Sequence, residues 1–351
     1  MPIKKYSFKE IFLDDSKNIS KISLEEITNN GNVAVIDQSR NYIAGYVEES
    51  NYKVCKNERI IFGDHTRIIK YINIPFITGA DGVKTLKLKD EKKCLYKFFY
   101  YYLQYLDIPN NGYSRHFKFL KEKELLIPTI KFQKEVIENL EKIDDLIKNK
   151  ERQIQKFNDL IKSKYIEMFE NEKYPKKCLA DVCEELFAGG DVKKEHTSKE
   201  KTNRFKYPIY TNGEKFDGLY GYTDIIRVDK EAVTISARGT IGFSCIRKEP
   251  FYPAVRLIVT IPNKNLIDTV FLRQFIENKN YGGQGAGIPQ LTVPMIKNEQ
   301  IPIPPLKLQK QFANIVEQIN NEKKICGKIV DKLNELKESK MQEYFGGVIN
   351  E

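Results

Sequence analysis

The side chains able to do chemistry are few and scattered. The three histidines, His65, His116 and His196, are not spaced to share a metal, and no HExxH occurs. Six cysteines stand at 55, 94, 178, 183, 245 and 326 with no CxxC among them, so neither a zinc knuckle nor a redox pair is indicated. Reduced thiols in a cytoplasm are the plain reading. GxxxxGK[ST] is absent, which argues against a P-loop ATPase. The run GGQGAG (282–287) has the glycines of a dinucleotide or S-adenosylmethionine loop. Such loops follow a strand and open a helix. This one follows a helical run and leads into IPQLTVP, so a flexible or close-approach loop fits better. FAGGD (187–191) is a weaker signal of the same kind. A DNA methyltransferase would need an Asn/Asp-Pro-Pro-aromatic motif for the flipped base, and none is present. Nuclease-like Glu-x-Lys triplets occur at Glu91, Glu322 and Glu335, as chance allows in a chain rich in both residues. The sequence therefore supplies no catalytic and no metal-ligating residue.

Polar turn residues carry the stronger signal. Arg40, Asn41 and Tyr42 in one part of the chain correspond to Thr211, Asn212 and Lys215 in another. His65, Thr66 and Arg67 correspond to the turn that holds Arg238 and Thr240. Tyr113, Ser114 and Arg115 correspond to Gln284 and Gln290. Arg, Asn, Gln and His are the types that read base edges, while Lys, Ser and Thr hold phosphates. Taken singly, each is better read as an ordinary solvated turn residue. As a set, corresponding positions differ in chemistry while their surroundings match. That pattern suggests two copies of one reader tuned to different targets.

The elements that position these loops are duplicated. Residues 127–169 and 303–345 align without a gap at an offset of 176, with identities that include Pro128/Pro304, Gln133/Gln309, Lys134/Lys310, Ile143/Ile319, Leu160/Leu336 and Phe169/Phe345. Both copies read as long helices. Val136, Leu140, Ile143, Ile147, Ile154, Phe157 and Ile161 recur at spacings of three and four, as do Phe312, Val316, Ile319, Val330 and Leu333. Lys150, Lys164, Lys323, Lys337 and Lys340 interrupt these stripes. So narrow a seam is the coiled-coil pattern, and a helix of about 55 Å, from near Gln133 to Phe169, cannot bury it alone. Pairing of the two copies is the economical solution. Weaker matches precede each helix in constant order. VIDQSRNYIAG (35–45) matches 209–219, residues 57–67 match 231–241, Val83-Lys84 matches Val255-Arg256, and 94–106 matches 266–276. Short β-branched runs such as RIIFG, AVTISA and PAVRLIVTI read as strands between NNGN, TNGE and ARGT turns.

Composition agrees with two folded units. The chain has 351 residues, 41% of them hydrophobic, which suggests about two domains. Lys+Arg is 58 against 48 Asp+Glu, a net charge of +10 that favours a polyanion such as nucleic acid. Only 11 of those 58 are Arg, as an AT-rich genome would produce, so charge alone is weak support. No apolar run has the ~20 residues of a membrane span, and the N-terminal MPIKKYSFKEIF is not a signal peptide, so no membrane contact and a cytoplasmic location are expected.

This arrangement resembles the specificity subunit of type I restriction–modification systems, and the resemblance covers almost the whole chain. The features that carry it are the repeated helix start (127–134, 303–310), the helix ends Tyr165–Phe169 and Tyr344–Phe345, and the segments YPIYTNGEKFDGLYGYTD (207–224), SARGTIG (236–242) and IPQLTVPMIKNEQIPIPPL (288–306). FGDHTRI (62–68) departs from the Gly-Thr/Ser-Ile-Gly turn expected in the first copy. The resemblance implies an α+β fold. Two similar mixed α/β target recognition domains, 1–130 and 171–305, would be separated by two conserved helices, 131–170 and 306–346, with 347–351 as a tail. The helices would pair as an antiparallel coiled coil with a pseudo-twofold relation. Each domain would read one half of a bipartite, asymmetric site in double-stranded DNA. The helix pair would set the spacer and dock two modification (methyltransferase) subunits, and restriction (translocase/nuclease) subunits would complete the complex. The chain itself would bind no cofactor: S-adenosylmethionine belongs to the methyltransferase partner, and ATP and Mg to the restriction partner. Two other readings stay open, a non-catalytic coiled-coil adaptor with two interaction modules and a self-contained DNA-modifying enzyme.

Overall fold

The computed structural model describes residues 5–48, 51–79, 82–110, 112, 114–170, 173–279, 281 and 290–346. The sequence candidates Tyr113 and Gln284, the GGQGAG run and the tail from 347 lie outside the described residues. In chain order the elements begin with β1 (Lys5–Ser7), α1 (Phe8–Ile11), β2 (Phe12–Asp14), β3 (Val33–Ile36), β4 (Gly45–Val47) and β5 (Arg59–Gly63). β6 (Ile69–Ile72), β7 (Phe76–Thr78), β8 (Val83–Leu88), α2 (Tyr96–Tyr105), α3 (Phe117–Lys121), β9 (Glu124–Leu126) and the long α4 (Ile130–Phe169) follow. The second half holds β10 (Lys176–Cys178), β11 (Cys183–Ala188), β12 (Thr197–Ser198), β13 (Tyr207–Tyr210), β14 (Leu219–Thr223), β15 (Ala232–Ile235), β16 (Ser244–Arg247) and β17 (Tyr252–Pro253). It ends with β18 (Ile258–Pro262), α5 (Thr269–Asn278), α6 (Val293–Ile296), β19 (Gln300–Pro302) and the long α7 (Leu306–Met341).

The chain divides into two compact units, 1–150 with 329–351, and 151–328, so each unit takes a stretch of both long helices. In unit 1, β2-β8-β5-β6 form an antiparallel sheet, β4-β3-β7 a second sheet in which β3 and β7 run parallel, and β1-β9 a two-stranded ribbon. Unit 2 repeats this plan with β11-β18-β15-β16, with β12-β14-β13-β17 in which β13 and β17 are parallel, and with the ribbon β10-β19. β12 is a full strand where unit 1 has only the bridge Thr28–Tyr46.

Alternation along the central strands builds two cores per unit. In β5 and β8, Ile60, Phe62, Leu86 and Leu88 face α2 and the long helices. Ile61 and Val83 face the second sheet with Val35, Ile72 and Phe76. The central strand β5 is thus buried on both faces, which is why RIIFG reads as a short, nearly continuous apolar run. Unit 2 divides Val233, Ile235 and Ile258 from Ala232, Val259 and Ile261 in the same way.

The long helices cross antiparallel within each unit. In unit 1, Asn139 Nδ2 donates to Tyr344 Oη at 2.9 Å and Lys337 Nζ to Asp144 Oδ1 at 2.6 Å, so partner numbers fall as the first helix advances. In unit 2, Lys323 Nζ donates to Asn158 Oδ1 at 2.5 Å, and the Phe169 and Phe312 rings lie 5.4 Å apart. The seam positions Val136, Leu140 and Ile143 are buried in unit 1 beside half-buried Ile147 and Leu333. Ile161, Phe312, Val316 and Ile319 are buried in unit 2 beside half-buried Phe157. Ile154 and Val330 are half-buried. The repeat's aromatic ends close equivalent cores. Phe345 stacks on Tyr102 of α2 at 4.9 Å, and Phe169 meets Phe271 of α5 at 4.7 Å.

The identical pair Gln133 and Gln309 acts as a clamp. Gln133 accepts from Leu95 N at 2.9 Å and donates to Lys93 O and Pro128 O at 2.7 and 2.9 Å. Gln309 accepts from Asp268 N at 2.8 Å and donates to Leu266 O and Pro304 O at 3.2 and 2.8 Å. Each amide thus ties the start of a long helix to the start of α2 or α5, and its oxygen satisfies an N–H that the N-terminus of the shorter helix leaves unpaired. α4 begins three residues before Gln133, where Thr129 Oγ1 accepts from Phe132 N as an N-cap would. One repeat match needs correction. Val83 and Lys84 open β8, whereas Val255 and Arg256 sit in a turn before β18.

Candidate nucleic-acid interface

In unit 1 three loops are drawn together by hydrogen bonds. Gln38, just after β3, accepts from His65 N at 3.1 Å through its side chain and from Thr66 Oγ1 at 2.7 Å through its carbonyl. Buried Asp64 accepts from His116 N through its carbonyl and from Phe117 N through its carboxylate, both at 2.8 Å. Arg67, with φ +60°, donates from Nη1 to Ile108 O at 2.9 Å. Beneath the first loop, the ammonium of Lys70 donates to Asp37 O, Asp37 Oδ1 and Asn41 O at 2.8, 3.3 and 2.5 Å. Burial pushes the Lys70 pKa down despite that carboxylate. Burial also acts to raise the Asp37 pKa, but hydrogen bonds from Ser39 and the Lys70 charge outweigh it and hold the carboxyl below its ordinary value.

This scaffold sorts the unit 1 candidates. Arg40, Asn41 and Arg115 are exposed, and Ser114 is half-buried 3.4 Å from His116 Nε2. Tyr42 exposes its ring while its hydroxyl donates to Tyr71 O at 2.8 Å. Thr66 and Arg67 use their side chains to hold the loops, and His65 is half-buried between them. Gln38 and Lys70 escaped the sequence reading, because nothing local in sequence shows that their partners lie 27 to 33 residues away.

Unit 2 builds the same cluster with other chemistry. Asn212 bridges two loops: its Oδ1 accepts from Ala237 N at 2.6 Å and its Nδ2 donates to Val255 O at 3.0 Å. Thr211 N donates to Gly218 O at 2.8 Å, closing a loop in which Phe216 and Asp217 both have φ +53°. A Cβ on Gly218 would stand 2.4 Å from Thr211 O, so only glycine fits there. Arg247 supports the loop from below, donating to Asp217 O at 2.5 Å while lying over the Tyr210 ring. The loop presents exposed Lys215 and, with 77% of its surface exposed, the Phe216 ring. Thr240 is exposed on the neighbouring turn. Arg238 donates through Nε and Nη2 to Gln290 Oε1 at 3.1 and 2.8 Å, and Arg256 Nη1 reaches the same oxygen at 2.6 Å. Phe216 and Arg256 were not sequence candidates. The four-residue TNGE turn signal marked the first loop, and no motif marked Arg256.

The exposed side chains of both clusters are of the types suited to phosphates and base edges. Among the described residues no three His, Cys, Asp or Glu side chains gather as a metal site requires, and no helix is long and apolar enough to cross a membrane.

Comparison with known proteins accords with this plan. Residues 2–157 and 171–335 each match the family described as type I restriction modification DNA specificity domain. A Mycoplasma pneumoniae protein named as a type I specificity subunit is 35% identical over 150 residues, 43% of this chain and 41% of that protein. A second from the same organism is 37% identical over 150 residues, 43% of this chain and 44% of that protein. The chain therefore spans about two fifths of the length of these relatives. A crystal structure of a type I restriction–modification S subunit from M. genitalium matches with TM-score 0.56 at 17% identity, over 97% of this chain and 96% of that one. A structure from work on complex assembly and conformational transition of the type I R-M system matches with TM-score 0.56 at 14% identity, over 98% of each chain. The latter two likenesses speak to the fold. With that domain matched twice along most of its length, the chain belongs to the type I restriction–modification specificity subunit family, whose members serve as non-catalytic subunits.

Proposed function

We propose that this chain is the sequence-specific DNA-binding subunit of a type I restriction–modification enzyme. Each unit reads one half of a bipartite, asymmetric site in double-stranded DNA. The paired helices set the unread spacer and dock two methyltransferase subunits, with restriction subunits completing the complex. One observation carries this reading. Two units of one topology hold corresponding loop clusters whose exposed side chains differ, Arg40, Asn41 and Arg115 in one and Lys215, Thr240 and Arg238 in the other. An adaptor of two identical modules would not need that divergence. Divided readout adds the discrimination of two half-sites and makes their separation a geometric constraint, as in dimeric DNA readers. Exposed lysines would supply phosphate contacts and a salt-dependent affinity. S-adenosylmethionine would sit on the methyltransferase partner, which must flip its target adenine, while ATP and Mg would sit on the restriction partner.

The test is genome-wide mapping of N6-methyladenine in cells that express the methyltransferase subunits with and without this chain. A single split motif that appears only with the chain is expected. Methylation independent of the chain, or a motif without a fixed spacer, overturns the reading. Deleting seven residues from either long helix should change the spacer or abolish binding. An unchanged spacer would count against the helices as a ruler.

A further inference from the structure

The structure of unit 2 points to a paired-arginine reader, and we infer that Arg238 and Arg256, oriented together by Gln290, recognise a guanine edge in the half-site of that unit. This rests on the DNA-reading function proposed above and adds the base class and the residues. Two guanidinium groups converge on one amide oxygen, Gln290 Oε1, at 2.6 to 3.1 Å. Among the described residues neither has a carboxylate partner, so two positive charges stand together uncompensated on an exposed loop cluster. Guanidinium carries five N–H donors in a fixed fork. Arg238 commits its Nε and Nη2 edge and Arg256 its Nη1, leaving Nη1 of the first and the Nε–Nη2 edge of the second for a ligand rich in acceptors.

The chain goes to some length to place Arg256. Its φ is +66°, a left-handed conformation that side chains rarely adopt. The turn is fixed on three sides. Asn212 Nδ2 holds Val255 O at 3.0 Å, Ala254 N donates to Tyr210 O at 2.7 Å, and Gly189 N donates to Leu257 O at 2.8 Å. A Cβ on Gly189 would stand 2.4 Å from Pro253 O, so the FAGGD glycine is there to let this turn approach. Strain kept by so many contacts is characteristic of functional positions.

Guanine is favoured over phosphate because orientation is what this arrangement secures. A phosphate accepts either an arginine fork or a lysine point charge, and for phosphate alone the chain has Lys in abundance, with Arg only 11 of its 58 basic residues. Guanine presents O6 and N7 side by side in the major groove and is matched by a guanidinium held in one plane.

The test compares wild type with R238K, R256K and R256G. Lysine keeps the charge and removes the fork. Glycine removes the side chain at a position where its φ is unstrained, so R256G folds at least as well as wild type. Each variant, assembled with the methyltransferase subunits, selects duplexes from a pool randomised in both half-sites, at two salt concentrations. The expected result is loss of about tenfold or more in preference for guanine at one or two positions of one half-site, with the other half-site unchanged. Equal weakening on every sequence would identify a phosphate contact and overturn the inference, as would unchanged preferences. A wild-type chain without sequence preference in either half would instead overturn the DNA-reading function and this inference with it.

Discussion

Replacing Gln309 by methionine isolates the clamp that joins the repeat's helix start to its neighbour. The Gln309 side chain is fully buried, and its amide makes three hydrogen bonds, to Asp268 N, Leu266 O and Pro304 O. Methionine keeps the length and volume and removes all three. Each buried backbone group left without a partner costs about 1–3 kcal/mol. Allowing for local relaxation, the loss is about 3–5 kcal/mol, a large share of the ~5–15 kcal/mol of a typical fold. For a unit of this size that lowers Tm by about 10 °C, at ~2–4 °C per kcal/mol. The assay is urea and thermal unfolding followed by circular dichroism, with amide hydrogen exchange to locate the damage. Exchange should accelerate at Asp268 and along α5, while α2 keeps its protection. Q133M should do the reverse, exposing Leu95 and α2. A change below about 1 kcal/mol for Q309M would refute the reasoning, since a dispensable amide is not what satisfies those groups.

Three further outcomes are expected. Arg59 and Asp15 form a buried ion pair at 2.8 Å, so R59M should destabilise unit 1 by about 3–5 kcal/mol in urea titrations. Burial acts to raise the Asp15 pKa, but hydrogen bonds from Asn18 and Arg59 together with the Arg59 charge outweigh it and hold the carboxyl below its ordinary value. Its contribution is therefore complete above about pH 4 and is lost as pH falls further through the lowered folded value, so acid unfolding of D15N should lack that component. Phe345 is buried against Phe98 and Tyr102, and F345A should cost unit 1 about 3–5 kcal/mol by the same titration. Lys215 is exposed on the unit 2 loop, and K215A should weaken DNA binding about equally on all sequences and reduce the salt slope by about 1, measured by fluorescence anisotropy.

Much of the fold was legible because it is written in local periodicity. Heptad spacing from Val136 to Ile161 and from Phe312 to Leu333 located both long helices, and Pro128 and Pro304 marked their starts. The gapless repeat implied two units of like build, and the strand orders agree. Register was less secure where indels intervene, and Arg256 was taken for part of a strand match when it sits in a strained turn. At the candidate interface, the loops were legible from turn residues. The division between side chains that present and side chains that hold was not. Thr66, Arg67 and Asn212 are polar turn residues by sequence, and each turns inward to bind a neighbouring loop.

The sequence by itself determined the duplication, the helical rods and the polar turns, because repeats, heptads and turn residues are patterns among near neighbours or between aligned copies. Only the tertiary structure decided which loops meet. Arg238, Arg256 and Gln290 converge across separations of 18 to 52 residues, and Gln309 finds its partners just before α5 and at its own helix start. Those encounters follow from strand pairing and sheet burial, which bring distant backbone together at fixed registers. A one-dimensional pattern carries the propensity for each strand, while the place where its end loop comes to lie is set by the packing of the whole unit.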